Sequence, residues 1–209
     1  MPARPAKHRE SSQARRAKLL DAAIEIIADS GVSGATHRAI ATRAGVPLST
    51  TSYFFASLDE LIAAALQLVA ERIVARAQAT IEEIGKTGLS PEDAIDRFVE
   101  RQLEVPRTEA VAQFELYLEC ARRPELQASA HQVMANVERV AESALRTLGI
   151  ARPAERAPVV VALMDGLDLH RQAWPRGEAD RRVMREALLG QFRTFTAEDT
   201  ATRREIEGV

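Results

Sequence analysis

Residues 31–61 read GVSGATHRAIATRAGVPLSTTSYFFASLDEL, and this stretch decides the fold. Thr36 can cap a short helix carrying Ile40, Ala41 and Ala44, because its hydroxyl accepts a hydrogen bond from an amide left open in the first turn. Gly45 ends that helix, and Pro47 suits the first turn of another. Four hydroxyl residues, Ser49, Thr50, Thr51 and Ser52, follow, and then Tyr53, Phe54 and Phe55. Ser57-Leu58-Asp59-Glu60 is a capping box, in which hydroxyl and carboxylate satisfy open amides at the start of a third helix. Two short helices joined by a glycine-containing turn form a helix-turn-helix.

The chemistry of the second short helix indicates its task. A helix that enters a DNA major groove needs compact, hydrogen-bonding side chains on its exposed face. Ser49, Thr50 and Ser52 supply short hydroxyls for phosphates or base edges. Leu48 can meet a thymine methyl, and the Tyr53 phenol can reach a phosphate. The helix opened by Thr36 aims free amides at a phosphate, and Arg38 adds charge nearby. Thr51 is expected to pack inward against the first helix.

Outward from this stretch, apolar residues recur at helical spacing throughout. Leu19, Leu20, Ala23, Ile26 and Ile27 form a stripe closed by Asp29-Ser30-Gly31. Leu61, Ile62, Ala65, Leu66, Val69 and Ile73 form the next, fading near Gly85 and Gly88. Ser90-Pro91 opens a helix with Ile95, Phe98, Val99 and Gln102, broken before Pro106. Val111, Phe114, Tyr117 and Leu118 mark a sixth helix, and Leu126 to Leu148 a seventh, closed by Gly149. An eighth follows the Pro153–Pro158 junction to about Trp174, and a ninth carries Met184, Leu188, Phe192 and Phe195. No alternating β-branched run is long enough for a sheet, so the fold class is all-α, with about nine helices.

The implied division is a basic arm without structure over 1–10, a helix-turn-helix head over 11–56, a six-helix bundle over 57–197 and a frayed tail over 198–209. With 209 residues, 46% of them apolar, the chain can bury a small core and a larger one. Its net charge is −2. Residues 1–57 carry eight lysines and arginines against four acids, a net of +4, and the remainder carries −6. A basic head on an acidic body suits a polyanionic partner.

Other classes lack their signatures. The single cysteine, Cys120, forms no intramolecular disulfide and reads as a core residue. The four histidines, His8, His37, His131 and His170, lie in no catalytic or metal-ligand pattern, so neither enzyme, metal site nor cofactor is expected. No apolar run approaches the ~20 residues of a membrane span. MPARPAKHRE (1–10) lacks the apolar segment of a signal peptide, so a cytoplasmic location is expected. The alternative to DNA binding is a helical ligand-binding or adaptor protein.

The segment 31–61 resembles the DNA-binding signature of the TetR family of transcriptional regulators. The matching pieces are Gly31, Thr36, Arg38, Ile40, Ala41, Ala44-Gly45-Val46, Thr50, Tyr53, Phe55, Ser57 and Leu61. That resemblance implies an all-α homodimer whose N-terminal heads bind a palindromic operator in double-stranded DNA. It also implies a C-terminal domain that takes a small-molecule effector. Three departures stand out: Ser52 precedes Tyr53 where a second aromatic is common, Phe54 stands where His is common, and Leu58 replaces a frequent Lys. Loss of that Lys shifts phosphate binding toward Arg4, Lys7, Arg9, Arg15 and Arg16.

Candidate effector-lining residues are Phe98, Gln102, Phe114, Tyr117, Leu118, His131, Met134, Met164, Asp168, His170 and Trp174; plain core packing is the competing reading. The last two helices resemble the family's dimerisation pair. Val160, Leu163, Leu167, Met184, Leu188, Phe192 and Phe195 are the candidate interface, with packing inside the subunit as the alternative.

Overall fold

A computed structural model describes residues 6–207, and the side chains of residues 12–205. Nine α-helices and one 3-10 turn make up the described residues, with no strand among them. They are α1 (Ala6–Gly34), α2 (His37–Ala44), α3 (Leu48–Phe54), α4 (Leu58–Thr87), α5 (Pro91–Leu103), α6 (Arg107–Arg122), α7 (Gln127–Thr147), α8 (Pro153–Ala173) and α9 (Glu178–Glu207), with the 3-10 turn Pro124–Leu126 before α7.

The local signals act as the chemistry requires. The Thr36 hydroxyl accepts from the Ala39 amide at 3.1 Å. Gly45 adopts φ 66°, ψ 34°, and its amide closes the end of α2 on the carbonyls of Ala41 and Thr42. The Ser57 hydroxyl accepts from the Glu60 amide at 3.1 Å, and the Glu60 carboxylate reaches back to the Ala56 amide at 2.6 Å. Ser90 caps α5 through the Asp93 amide at 3.1 Å.

Gly31 breaks α1 with φ 69° and ψ 176°, a conformation nearly closed to other residues, and one further turn follows it to Gly34. Two expected boundaries move. Of the expected arm, residues 1–5 lie outside the described residues, and α1 begins at Ala6. The expected frayed tail is helical: α9 continues to Glu207.

The described residues form two compact units, one of those up to 71 with 107–133, the other of 72–106 with those from 134 onward. In the first, α1 packs against α6 and α2, and α2 packs against α3. Leu19, Ala23, Ile27, Ile40, Phe55, Leu61, Leu66 and Leu116 are buried in it. The head is therefore larger than 11–56, because α6 covers the apolar face of α1 that a three-helix unit would leave wet.

In the second unit, α9 packs against α5 and α8. Ile95, Val99, Met164, Met184, Leu188 and Leu189 form one core cluster. A second cluster holds Leu145, Ile150, Ala157 and Phe195. Beside it the buried Arg156 pairs with Glu198 at 2.9 Å and Asp199 at 2.8 Å. Its guanidinium also stacks on Phe195, 4.6 Å from the ring centroid. This clasp explains why 198–207 is not frayed: a buried cation must keep its carboxylates, and they lie one turn beyond the buried Phe195 of α9.

Candidate nucleic-acid interface

At about 100° per residue, Leu48, Ser52, Ser49 and Tyr53 span about 140° of arc on α3. All four are exposed, Tyr53 at 66%. Thr50 lies about 60° outside this arc and is half-buried. Thr51 points the opposite way, is fully buried, and donates its hydroxyl to the Leu48 carbonyl at 2.7 Å. Four consecutive hydroxyl residues thus divide by geometry into three available to solvent and one fixed inside.

Tyr53 meets Phe54 edge to face, with centroids 4.9 Å apart. Phe55 is buried, and the Arg16 guanidinium of α1 lies over its ring at 5.2 Å. That contact seats the C-terminal end of α3 against α1. Thr36 and Arg38 are exposed at the start of α2. Arg38 makes no ion pair among the described residues, so its charge is open to a phosphate.

Arg43 differs. It bridges two acids of α1, Glu25 at 3.1 Å and Asp29 at 3.3 Å. Hydrogen bonds to Glu25 and then Asp29 hold its guanidinium above the ordinary arginine range. The count of basic residues in the head treats Arg38 and Arg43 alike; the fold makes one available and uses the other as a strut.

The candidate effector-lining residues are dispersed. In the first unit, Phe114 and Tyr117 meet edge to face at 6.3 Å on α6. Leu118 and His131 are exposed there. In the second unit, Gln102 of α5 donates to the Asp168 carboxylate of α8, which Arg171 also holds at 3.0 Å. Asp168 is only 7% exposed, and burial raises its pKa above the usual carboxylate range. Phe98 packs on the cluster containing Met164, one turn from that polar pair on each helix. Met134 is half-buried. His170 and Trp174 face solvent, Trp174 at 71%, with Arg176 over its ring at 5.4 Å.

The candidate interface residues take part in the subunit's own packing. Met184, Leu188 and Phe195 are buried within their own unit, and Val160, Leu163, Leu167 and Phe192 pack on the same clusters. Ile95 and Val99 of α5 take up this face of α9. The exposed row is another one: Val159, Ala162, Gly166 and Leu169 on α8, at spacings of three, four and three. That seam spacing is visible in the sequence, but the larger side chains facing inward hid it.

Comparison with known proteins agrees with this geometry. Residues 19–65 match the family model described as bacterial regulatory proteins, tetR family. Residues 90–194 match the tetracyclin repressor-like C-terminal domain. An 81-residue segment is 33% identical to the HTH-type transcriptional regulator PksA of Bacillus subtilis, covering 39% of this chain and 38% of that protein. The chain therefore spans well under half the length of that relative. A solved member of the TetR family from Streptomyces coelicolor is 31% identical, covering 83% of this chain and 97% of its own, with a TM-score of 0.65. The multidrug binding protein EbrR, solved with ethidium, is 30% identical over 83% of this chain and 97% of its own, with a TM-score of 0.59. With both halves matched and the helix-turn-helix in place, the chain belongs to the TetR family of bacterial regulatory proteins.

Proposed function

We propose that the chain is a dimeric, effector-responsive transcriptional repressor acting in the cytoplasm. Its α3 enters the major groove, with Ser49, Thr50, Ser52 and Tyr53 on phosphates and base edges and Leu48 against a thymine methyl. Thr36 and Arg38 grip the adjoining phosphate backbone. The observation that carries this reading is the outward arc of α3, hydroxyl-rich and fixed from behind by buried Thr51 and Phe55. Two such heads, one per subunit, read two half-sites related by symmetry.

The dimer face we assign is the row Val159, Ala162, Gly166 and Leu169 on α8, whose two small residues let a partner helix approach closely. A small organic effector binds in the C-terminal domain and favours a conformation that holds DNA less well; it acts only through its differential affinity for the two states. The EbrR structure with ethidium supports an effector of this general class.

Selection of duplexes from a randomised pool, followed by mobility shift across a salt series, tests the reading. The expected product is an inverted repeat with half-site centres about 34–36 Å apart or a multiple of that. Enrichment of no sequence, or retention by a monomer at single half-sites, contradicts it.

A further inference from the structure

The C-terminal end of α6 carries a carboxylate that burial makes dependent on a partner. Glu119 is only 9% exposed. Its partner is Arg123, one turn further on, with the more exposed Arg122 at 3.5 Å. Arg123 does not stop at Glu119. Its guanidinium also pairs with Asp59 of α4 through Nη1. A planar fork with several donors can hold two carboxylates at once, which a lysine ammonium on one flexible stem does poorly.

Asp59 occupies a consequential place. It lies in the first turn of α4, where negative charge also complements the helix dipole. Only three residues separate it from Phe55, the buried residue that closes α3. That short connection is fixed by the Ala56–Glu60 and Ser57–Glu60 hydrogen bonds, so it has little slack. Whatever fixes Asp59 fixes the end of α3.

We propose that Arg123 is a positioning residue for DNA binding: by bridging Glu119 and Asp59 it fixes the seat of α3 without touching the duplex. The inference rests on the reading of α3 as the groove-entering helix. It adds a determinant of affinity outside the helix-turn-helix, at the extended residue that follows α6.

The test uses the full-length protein and the duplex that the unmodified protein selects from a randomised pool. Arg123→Gln is expected to weaken binding about tenfold. The slope of log affinity against log salt is expected to stay unchanged, because no phosphate contact is lost. Asp59→Asn should give a similar loss, and the double variant should be no worse than either single one. Because Arg123→Gln leaves the buried Glu119 with only the more exposed Arg122 and can unfold the chain, Glu119→Gln/Arg123→Gln removes the buried charge and should bind as weakly as the single variant. Wild-type affinity in that double variant overturns the proposal, and so does a slope reduced by about 0.9, which marks a direct phosphate contact. Failure of the unmodified protein to enrich any duplex sinks the groove-entering reading and this one with it; enrichment with unaltered variant affinity sinks this one alone.

Discussion

The Thr51 hydroxyl donates to the Leu48 carbonyl at 2.7 Å, inside α3, while its neighbour Ser52 faces outward. Adjacent residues of one chemical kind therefore do opposite work. Thr51→Ala removes a buried methyl and a satisfied hydroxyl, and should lower stability by about 1–2 kcal/mol. Ser49→Ala and Ser52→Ala should leave the melting temperature within error and weaken binding to a selected duplex. Parallel thermal melts and mobility shifts check the contrast.

Arg38 and Arg43 should separate by salt dependence. Arg38→Ala should lower the slope of log affinity against log salt by about 0.9, the share of one phosphate contact. Arg43→Gln should leave the slope unchanged, because Glu25 and Asp29 already hold its guanidinium. It should change the melting temperature little, since all three groups are solvent-exposed and water screens the pairs. Equal slopes for both variants would show that Arg43 leaves its strut to bind DNA.

The clasp on α9 has a local readout. Arg156→Met removes both ion pairs and the stacking on Phe195. The expected cost is roughly 2–3 kcal/mol, with Asp199 left half-buried and unpaired. Amide exchange in residues 196–207 should accelerate more than anywhere in α5. Uniform acceleration along the chain would show that the clasp supports the whole unit and not the end of one helix.

Two aspartates should respond to pH with opposite signs. Burial raises the pKa of Asp168, against the pull of Gln102 and Arg171, so the folded state takes up protons before the unfolded chain does. Its contribution to stability therefore falls as pH rises through the range above the ordinary 3.8. Asp180 is lowered, first by the Arg176 backbone amide, which donates to it at 2.6 Å. Its contribution is present above 3.8 and is lost as pH falls through the lower folded value. Melting temperatures of Asp168→Asn and Asp180→Asn from pH 3 to 7 should diverge from the parent in opposite directions. A shared trend refutes the assignment.

The all-α fold was legible because its signals are local. Thr36, Gly45, the Ser57–Glu60 box and Ser90 each act within four residues, and the structure contains each of those bonds. The outward arc of α3 was legible for the same reason, since helical phase alone separates Ser49 and Ser52 from Thr51. What escaped depends on contacts far apart in the chain. Met184 and Phe195 read as spare apolar surface because nothing near them in sequence reveals that α5 and α7 supply the covering residues. Arg43 entered only the count of basic residues, because Glu25 and Asp29, which hold it, lie 18 and 14 positions away. Residues 198–207 read as a tail because Arg156, which holds their root, stands 42 positions upstream of Glu198. Leu118 and Trp174 read as pocket lining because size and apolarity suggest burial, whereas Leu118 sits on the wet side of α6 and Trp174 is exposed just past the end of α8.

The packing of α6 on α1 has a practical corollary for protein engineering. A chimera that grafts only residues 11–56 onto a foreign effector domain would strip Leu19, Ala23 and Ile27 of the shelter that Leu116 and its neighbours provide. A transplant that preserves the reader has to be discontinuous, carrying 107–133 along with the N-terminal segment. Hybrid regulators spliced at a single junction near residue 57 should sense and read poorly unless the donor and recipient α6 helices are interchangeable.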